Sequence, residues 1–168
     1  MSSDPGAPGG RATAGTLILG LGNPLRGDDG VGAAVIAALR AAGLPAGVDL
    51  LDGGTPGLEI VLLLQGYRRA VIVDAADVGR EPGEWLRFTR EEVALGSGDL
   101  AQMGAVHTAG LAEGLRLGEA LRVLPEEIVL YGVQPLEVGW EPGLSDAVAA
   151  AVPAVCAAVQ AEVARGAG

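Results

Sequence analysis

Short apolar runs separated by longer amphipathic stretches set the rhythm of this chain. Thr16–Leu21, Val48–Leu51, Arg69–Val73 and Glu127–Val133 are apolar segments bounded by glycine, aspartate or proline, and they read as strands. Between them Gly30–Ala42 repeats Val31, Val35 and Leu39 at helical spacing, and His107–Arg122 does the same with Leu111 and Leu115. Thr55 and Pro56 supply cap and first-turn chemistry for a short helix running to about Leu64. Ser145–Arg165 reads as a closing helix. Glu84–Phe88 is a further strand, introduced by the turn Glu81-Pro82-Gly83, and Thr89–Val93 reads as a helical turn.

Strands bridged by helices imply right-handed crossovers. The pattern therefore predicts an α/β three-layer sandwich, a mainly parallel twisted sheet of about five strands with helices on both faces. Glu84–Phe88 follows its predecessor without a helix and is expected to be antiparallel. Residues 16–165 read as a single domain, long enough to bury roughly 70% of its unfolded surface. Residues 1–15 are poor in large apolar side chains and read as a disordered leader without a signal peptide's hydrophobic centre. Gly96–Ala105 is glycine-rich and reads as a mobile loop.

Charge narrows the partners. The chain carries 21 carboxylates against 11 basic residues, all arginine, for a formal charge of −10. Such a balance disfavours phosphate backbones and anionic membranes, so neither nucleic acid nor membrane is an expected partner. No apolar run is expected to reach the roughly 20 residues of a membrane span. The lone Cys156 cannot form an internal disulfide and fits a reducing, cytoplasmic setting. The acidic charge also favours a monomer.

The candidate chemistry gathers where strands end. Leu17 to Gly32 runs from an apolar strand through Gly20-Leu21-Gly22-Asn23-Pro24 to Asp28-Asp29 at the start of the next helix. Leu25 stands where a dinucleotide fingerprint needs its third glycine, and no Gly-Lys-Ser/Thr follows, so neither common phosphate cradle is present. Carboxylates at that point repel anions and attract a cation. Asp28 by itself is equally well read as a helix N-cap. Asp74 ends the third strand, and His107, the chain's single histidine, lies one and two turns ahead of Leu111 and Leu115, facing inward. In a doubly wound sheet all parallel strand ends share one edge, so the carboxylates of Asp29 and Asp74 can converge although 45 positions separate them. One imidazole and two carboxylates, with positions left open, suit Ni²⁺, Zn²⁺ or a related divalent ion. Asp52 and Asp77 are secondary candidates, and Gly53, Gly54 and Thr55 read as a cleft wall open to close approach by substrate.

Gly20-Leu21-Gly22-Asn23-Pro24 is similar to the opening of bacterial peptidyl-tRNA hydrolases, but the histidine-bearing segment that follows it there is missing. A wider set of motifs resembles the hydrogenase maturation proteases. It comprises Asp28-Asp29-Gly30-Val31-Gly32, Asp52-Gly53-Gly54-Thr55-Pro56-Gly57, Val73-Asp74-Ala75, His107-Thr108-Ala109-Gly110-Leu111, and Gly132-Val133-Gln134-Pro135 followed by Gly143-Leu144-Ser145. Proteins of that family remove a C-terminal peptide from the large-subunit precursor of nickel-iron hydrogenases once nickel is inserted. The resemblance implies that Asp29, Asp74 and His107 are metal-contacting and catalytic, with Gly53, Gly54 and Thr55 contacting substrate. It implies that the metal is nickel carried by the precursor, though a divalent ion (Ni or Zn) is also accommodated. Some members carry Glu at the place of Asp29. A non-cleaving maturation chaperone on the same fold, binding metal or precursor, is the alternative.

Overall fold

The apolar runs pair as their pattern predicts. The computed structural model describes residues 15–95 and 106–166, except for the side chains of residues 94, 95 and 106–109. The leader expected before Thr16 and the loop Gly96–Ala105 fall on residues outside that description, apart from Gly15. Strands β1 (Thr16–Gly20), β2 (Val48–Asp52), β3 (Arg69–Ala75), β4 (Trp85–Thr89) and β5 (Glu127–Val133) form one sheet in the order β2-β1-β3-β5-β4. The β1–β2, β1–β3 and β3–β5 pairs are parallel. The expected exception, β4, runs antiparallel to β5.

Side-chain alternation on the strands builds two cores. Leu17, Leu19, Ala70, Ile72, Ile128 and Leu130 face helices α2 (Ile60–Leu64) and α4 (Val106–Leu121), with Val93 of α3 (Arg90–Leu95) on the same side. Ile18, Val71, Val73, Val129 and Tyr131 face α1 (Val31–Ala42) and α5 (Asp146–Arg165). This is the three-layer α/β arrangement, and each fully buried Leu, Ile or Val contributes roughly 1.5–3 kcal/mol of transfer free energy. The chain leaves β1 through α1 to β2 on one side of the sheet, and after β3 it runs to β4 and through α4 to β5 on the other. With α1 and α4 on opposite faces, the connections leaving β1 and β3 diverge. The sheet therefore has a switch point between the carboxyl ends of β1 and β3, where open α/β sheets bind ligands.

Two local expectations differ. Thr55 does not cap a helix: the chain enters a 3-10 turn at Gly57–Glu59 behind Pro56, with no side-chain cap, before α2 begins. The αR backbone at Pro56 lets the turn tighten directly, so no side-chain acceptor is recruited. Helix α5 is 20 residues long with a mean hydropathy of 1.7, which meets the length and apolar character of a membrane span. Its alanines raise that index, while Val148, Val155, Val159 and Val163 pack into the core shared with α1. Ser145 caps it by accepting from Val148 N–H.

Candidate active site

Asp74 and the turn after β2 meet at one concavity on the switch-point edge. A pocket of about 200 Å³ is lined by Asp74 from β3, by Leu21 after β1, by Gly54, Thr55, Pro56 and Gly57, and by Gly110 and Leu111 of α4. Asp74 is 1% exposed, so its carboxyl group sits in a region of little solvent screening. The sheet register explains the placement. Gly20 pairs with Val73, so Leu21 and Asp74 leave adjacent strands at the same height, and Leu21 N–H donates to Val73 O at 2.9 Å.

Asp29 lies behind that lining, in the loop that continues from Leu21. Its Oδ2 accepts from Asn23 N–H at 2.7 Å, and the residue is 1% exposed. Gly22 makes this fold-back possible. Its φ is +111°, and a Cβ there would stand 2.0 Å from the Asp29 carbonyl oxygen. Only glycine combines that backbone with that approach. His107 belongs to the first turn of α4, on the stripe of Leu111 and Leu115, both buried. Its side chain is outside the described atoms. Among the described residues no three His, Cys, Asp or Glu side chains assemble as a metal cluster. The two carboxylates flank the switch point, and Gly110 and Leu111 bring α4 to the same pocket.

The two supporting glycines split in role. Gly54 and Thr55 line the pocket, whereas Gly53 stands behind it, where a Cβ would lie 2.7 Å from Leu19 Cδ1. Gly53 N–H donates to Gly20 O, and Gly22 N–H donates to Gly54 O, which ties this turn to the end of β1. The secondary candidates Asp52 and Asp77 each accept from a backbone N–H two residues on, Gly54 and Gly79, and are exposed turn formers.

Asp28 is not a helix cap. The 3-10 turn Gly27–Gly30 and α1 both begin without a side-chain cap. Instead its Oδ2 accepts from Leu136 N–H at 2.9 Å, Glu137 N–H at 3.1 Å and Ser145 Oγ–H at 2.8 Å, and its Oδ1 accepts from Ser145 N–H at 2.7 Å. Burial pushes this carboxyl up, but the donors from Ser145, Glu137 and Leu136 outweigh it and hold it below the ordinary carboxylate range. Asp28 thus staples the loop carrying Asp29 to the loop between β5 and α5. A second clasp does the same for the segment after β3: Gln134 Oε1 accepts from Val78 N–H at 2.8 Å and Arg80 N–H at 3.3 Å. In the sequence Gln134 and Ser145 are only letters of a motif, because their partners Val78 and Asp28 lie 56 and 117 positions away.

A buried ionic network occupies the other end of α5. Glu162, 2% exposed, accepts from Arg69 Nη2 at 2.8 Å and Tyr131 Oη at 3.0 Å, and from Arg87 Nε. Burial raises its carboxyl and the Arg87 and Tyr131 donors outweigh that effect, so it lies below its ordinary value. Among the described residues the serine and the cysteine are occupied: Ser145 Oγ donates to Asp28, and Cys156 is buried against Val35 with its thiol pushed up by burial.

A family model described as hydrogenase maturation protease matches residues 33–162, a span that includes Asp74 and His107 and begins after Asp29. The hydrogenase expression/formation protein HupD of Rhizobium leguminosarum is 35% identical over 140 residues, covering 82% of this chain and 68% of that protein. A putative hydrogenase maturation protease of Methanocaldococcus jannaschii is 32% identical, covering 81% of this chain and 88% of its own length. The solved structure of the hydrogenase-maturating endopeptidase HybD from E. coli superposes with a TM-score of 0.80 at 29% identity, covering 91% of this chain and 94% of that one. The [NiFe] hydrogenase maturation protease HybD from Thermococcus kodakarensis gives 0.73 at 30% identity, covering 89% and 99%.

Proposed function

The chain belongs to the hydrogenase maturation protease family, and we propose that it removes the C-terminal extension of a nickel-iron hydrogenase large-subunit precursor after nickel insertion. The observation that carries this reading is the pocket at the β1–β3 switch point, where buried Asp74 faces a groove walled by Gly54 and Thr55 and bounded by the His107 helix. In this reading the precursor's nickel is the recognition element, gripped by Asp29, Asp74 and His107. The donor set fits: two carboxylates and one imidazole are hard-to-borderline ligands suited to Ni²⁺ or Zn²⁺, and three protein donors leave positions for the precursor's own ligands.

Asp29 and Asp74 supply two buried carboxyl groups as hard oxygen donors for a cationic centre beside the groove. Gly54 and Thr55 present backbone to an extended tail, with Gly53 closing the wall behind them. Positioning of the scissile peptide beside the grip is the main contribution of the chain, since held geometry replaces a bimolecular encounter. Nickel brought by the precursor and held by Asp29, Asp74 and His107 would supply Lewis-acid polarisation of the scissile carbonyl. Neither Ser145 nor Cys156 takes part, because the first donates to Asp28 and the second is buried. The single buried cysteine is also in keeping with action in the cytoplasm.

The test is the intact mass of full-length hydrogenase large-subunit precursors incubated with the chain, nickel-loaded and nickel-free in parallel. Loss of a C-terminal peptide from the nickel-loaded form alone is expected. Retention of the full mass by precursors that still bind the chain assigns it the non-cleaving chaperone role instead.

A further inference from the structure

Two loops at the same edge as the pocket expose large apolar side chains. Leu25 is 63% exposed on the loop after β1, and Leu136 at 62% and Trp140 at 84% lie on the loop after β5, with Val138 between them. A lone exposed leucine needs no explanation, but an exposed tryptophan beside leucines on joined loops does. The loops are joined in three ways. The Arg26 guanidinium lies 4.4 Å from the centroid of the Trp140 ring. Gly27 N–H donates to Glu141 O at 2.8 Å and Asp28 N–H donates to Glu137 O at 3.0 Å. Beneath them the Asp28 carboxylate accepts its four hydrogen bonds. The result is an exposed apolar platform whose two loops are already tied together in the free protein, which lowers the ordering cost left for association.

We propose that this platform is a second contact surface for the large-subunit precursor, holding the precursor's folded body while its tail enters the pocket at Asp74. The inference rests on the function proposed above and assigns to Leu25, Arg26, Leu136 and Trp140 the choice of precursor. Tryptophan and arginine are the residues that most often anchor protein interfaces. The carboxylates of Glu137 and Glu141 are exposed on the same loop, so the matching face is apolar at its centre and basic at its rim. That charge pattern argues against a second copy of this chain, which would bring the same carboxylates and a formal charge of −10 to the contact. It argues equally against the chain's own first fourteen residues, whose single large apolar side chain is Met1. The platform shares a loop with the candidate site, because Asp29 follows Asp28 on the stapled turn. A contact formed equally in the ground and transition states lowers KM and leaves kcat alone.

The experiment measures cleavage rates by intact mass over a range of nickel-loaded, full-length precursor concentrations. It compares the wild-type chain with Trp140→Ala, with Leu25→Ser/Leu136→Ser, and with Glu137→Arg/Glu141→Arg. Trp140→Ala and the leucine pair are expected to raise KM by about tenfold or more, with kcat within about twofold of wild type. The charge reversal is expected to raise KM at low salt and to flatten its dependence on ionic strength. Unchanged KM in all three variants overturns the proposal while leaving the protease reading intact. A fall in kcat at constant KM also overturns it, by placing Trp140 at the chemistry. Sedimentation of the chain alone as a dimer that Trp140→Ala dissolves assigns the platform to a second copy. A wild-type chain that cuts no precursor fails the functional reading itself, and the platform proposal falls with it.

Discussion

Replacing Asp28 by Asn changes one atom and removes one charge at the staple between two loops. The carboxylate satisfies four donors, three of them backbone N–H or hydroxyl groups on Oδ2 and one, Ser145 N–H, on Oδ1. A carboxamide has one oxygen. Turned to keep Leu136, Glu137 and Ser145 Oγ, it points its NH₂ at Ser145 N–H, a donor facing a donor; turned the other way, it loses two backbone partners. The cheaper orientation leaves one buried N–H without an acceptor, a cost of about 1–3 kcal/mol. The three bonds that survive lose their charge assistance, which makes them weaker by up to about half. A total near 3 kcal/mol is expected, equivalent to about 6–12 °C in melting temperature for a domain of this size. Equilibrium urea unfolding followed by circular dichroism measures it, with an unchanged denaturant slope as the sign that only stability moved. The pH dependence adds a second check. Because the folded Asp28 carboxyl lies below its unfolded value, its stabilisation is complete above that unfolded value and disappears as pH falls through the folded one. The gap between wild type and Asp28→Asn is therefore constant from about pH 5 to 8 and closes below about pH 4. A gap under about 0.5 kcal/mol at neutral pH, or one that widens on acidification, would refute the staple.

Gly22→Ala forces a Cβ onto the Asp29 carbonyl at a φ of +111°; it is expected to cost at least about 1–3 kcal/mol and to abolish precursor cleavage. An unshifted urea midpoint contradicts that. Glu162→Gln leaves Arg69, itself 7% exposed, with the Glu127 carboxylate at 3.1 Å as its remaining counter-charge, so a loss of about 1–3 kcal/mol is expected in the same assay. This contribution, too, is present above the unfolded carboxyl value and fades as pH falls through the lowered folded one. The Cys156 thiol, buried with its ionisation pushed up, should resist iodoacetamide in the native chain and react only after denaturant is added. Labelling of the native chain at the rate of a free thiol contradicts that burial.

What the sequence made legible was whatever depends on neighbours along the chain. The strand runs, the helical stripe of Leu111 and Leu115, and the antiparallel strand after Glu81-Pro82-Gly83 follow from local pattern, and the parallel order then places Asp29 and Asp74 at one edge. Asp28 was ambiguous because its partners lie 108 to 117 positions away. A carboxylate before a helix looks the same whether it caps that helix or staples a remote loop. Glu162 was invisible for a related reason. In an alanine-rich helix a glutamate near the end reads as a solvated charge, and only the packing of α5 against β3 and β5 brings Arg69 and Tyr131 to it. The cap expected at Thr55 failed because the tight turn at Gly57–Glu59 starts from backbone geometry alone. The Trp140 platform needed the folded loops, since Arg26 and Trp140 are brought together by the backbone bonds of Gly27 and Asp28 and by the Asp28 staple.

The central claim is that Asp29, Asp74 and His107 act together on a nickel-loaded precursor. It is tested most directly by intact-mass analysis of that precursor after incubation with the wild-type chain and with Asp29→Asn, Asp74→Asn and His107→Gln. The circular dichroism of each variant is recorded alongside to confirm the fold. Release of a C-terminal peptide by the wild type, and by none of the three folded variants, is the predicted result. Full cleavage by any one folded variant would contradict the claim for that residue, and full cleavage by all three would remove the site from the β1–β3 switch point.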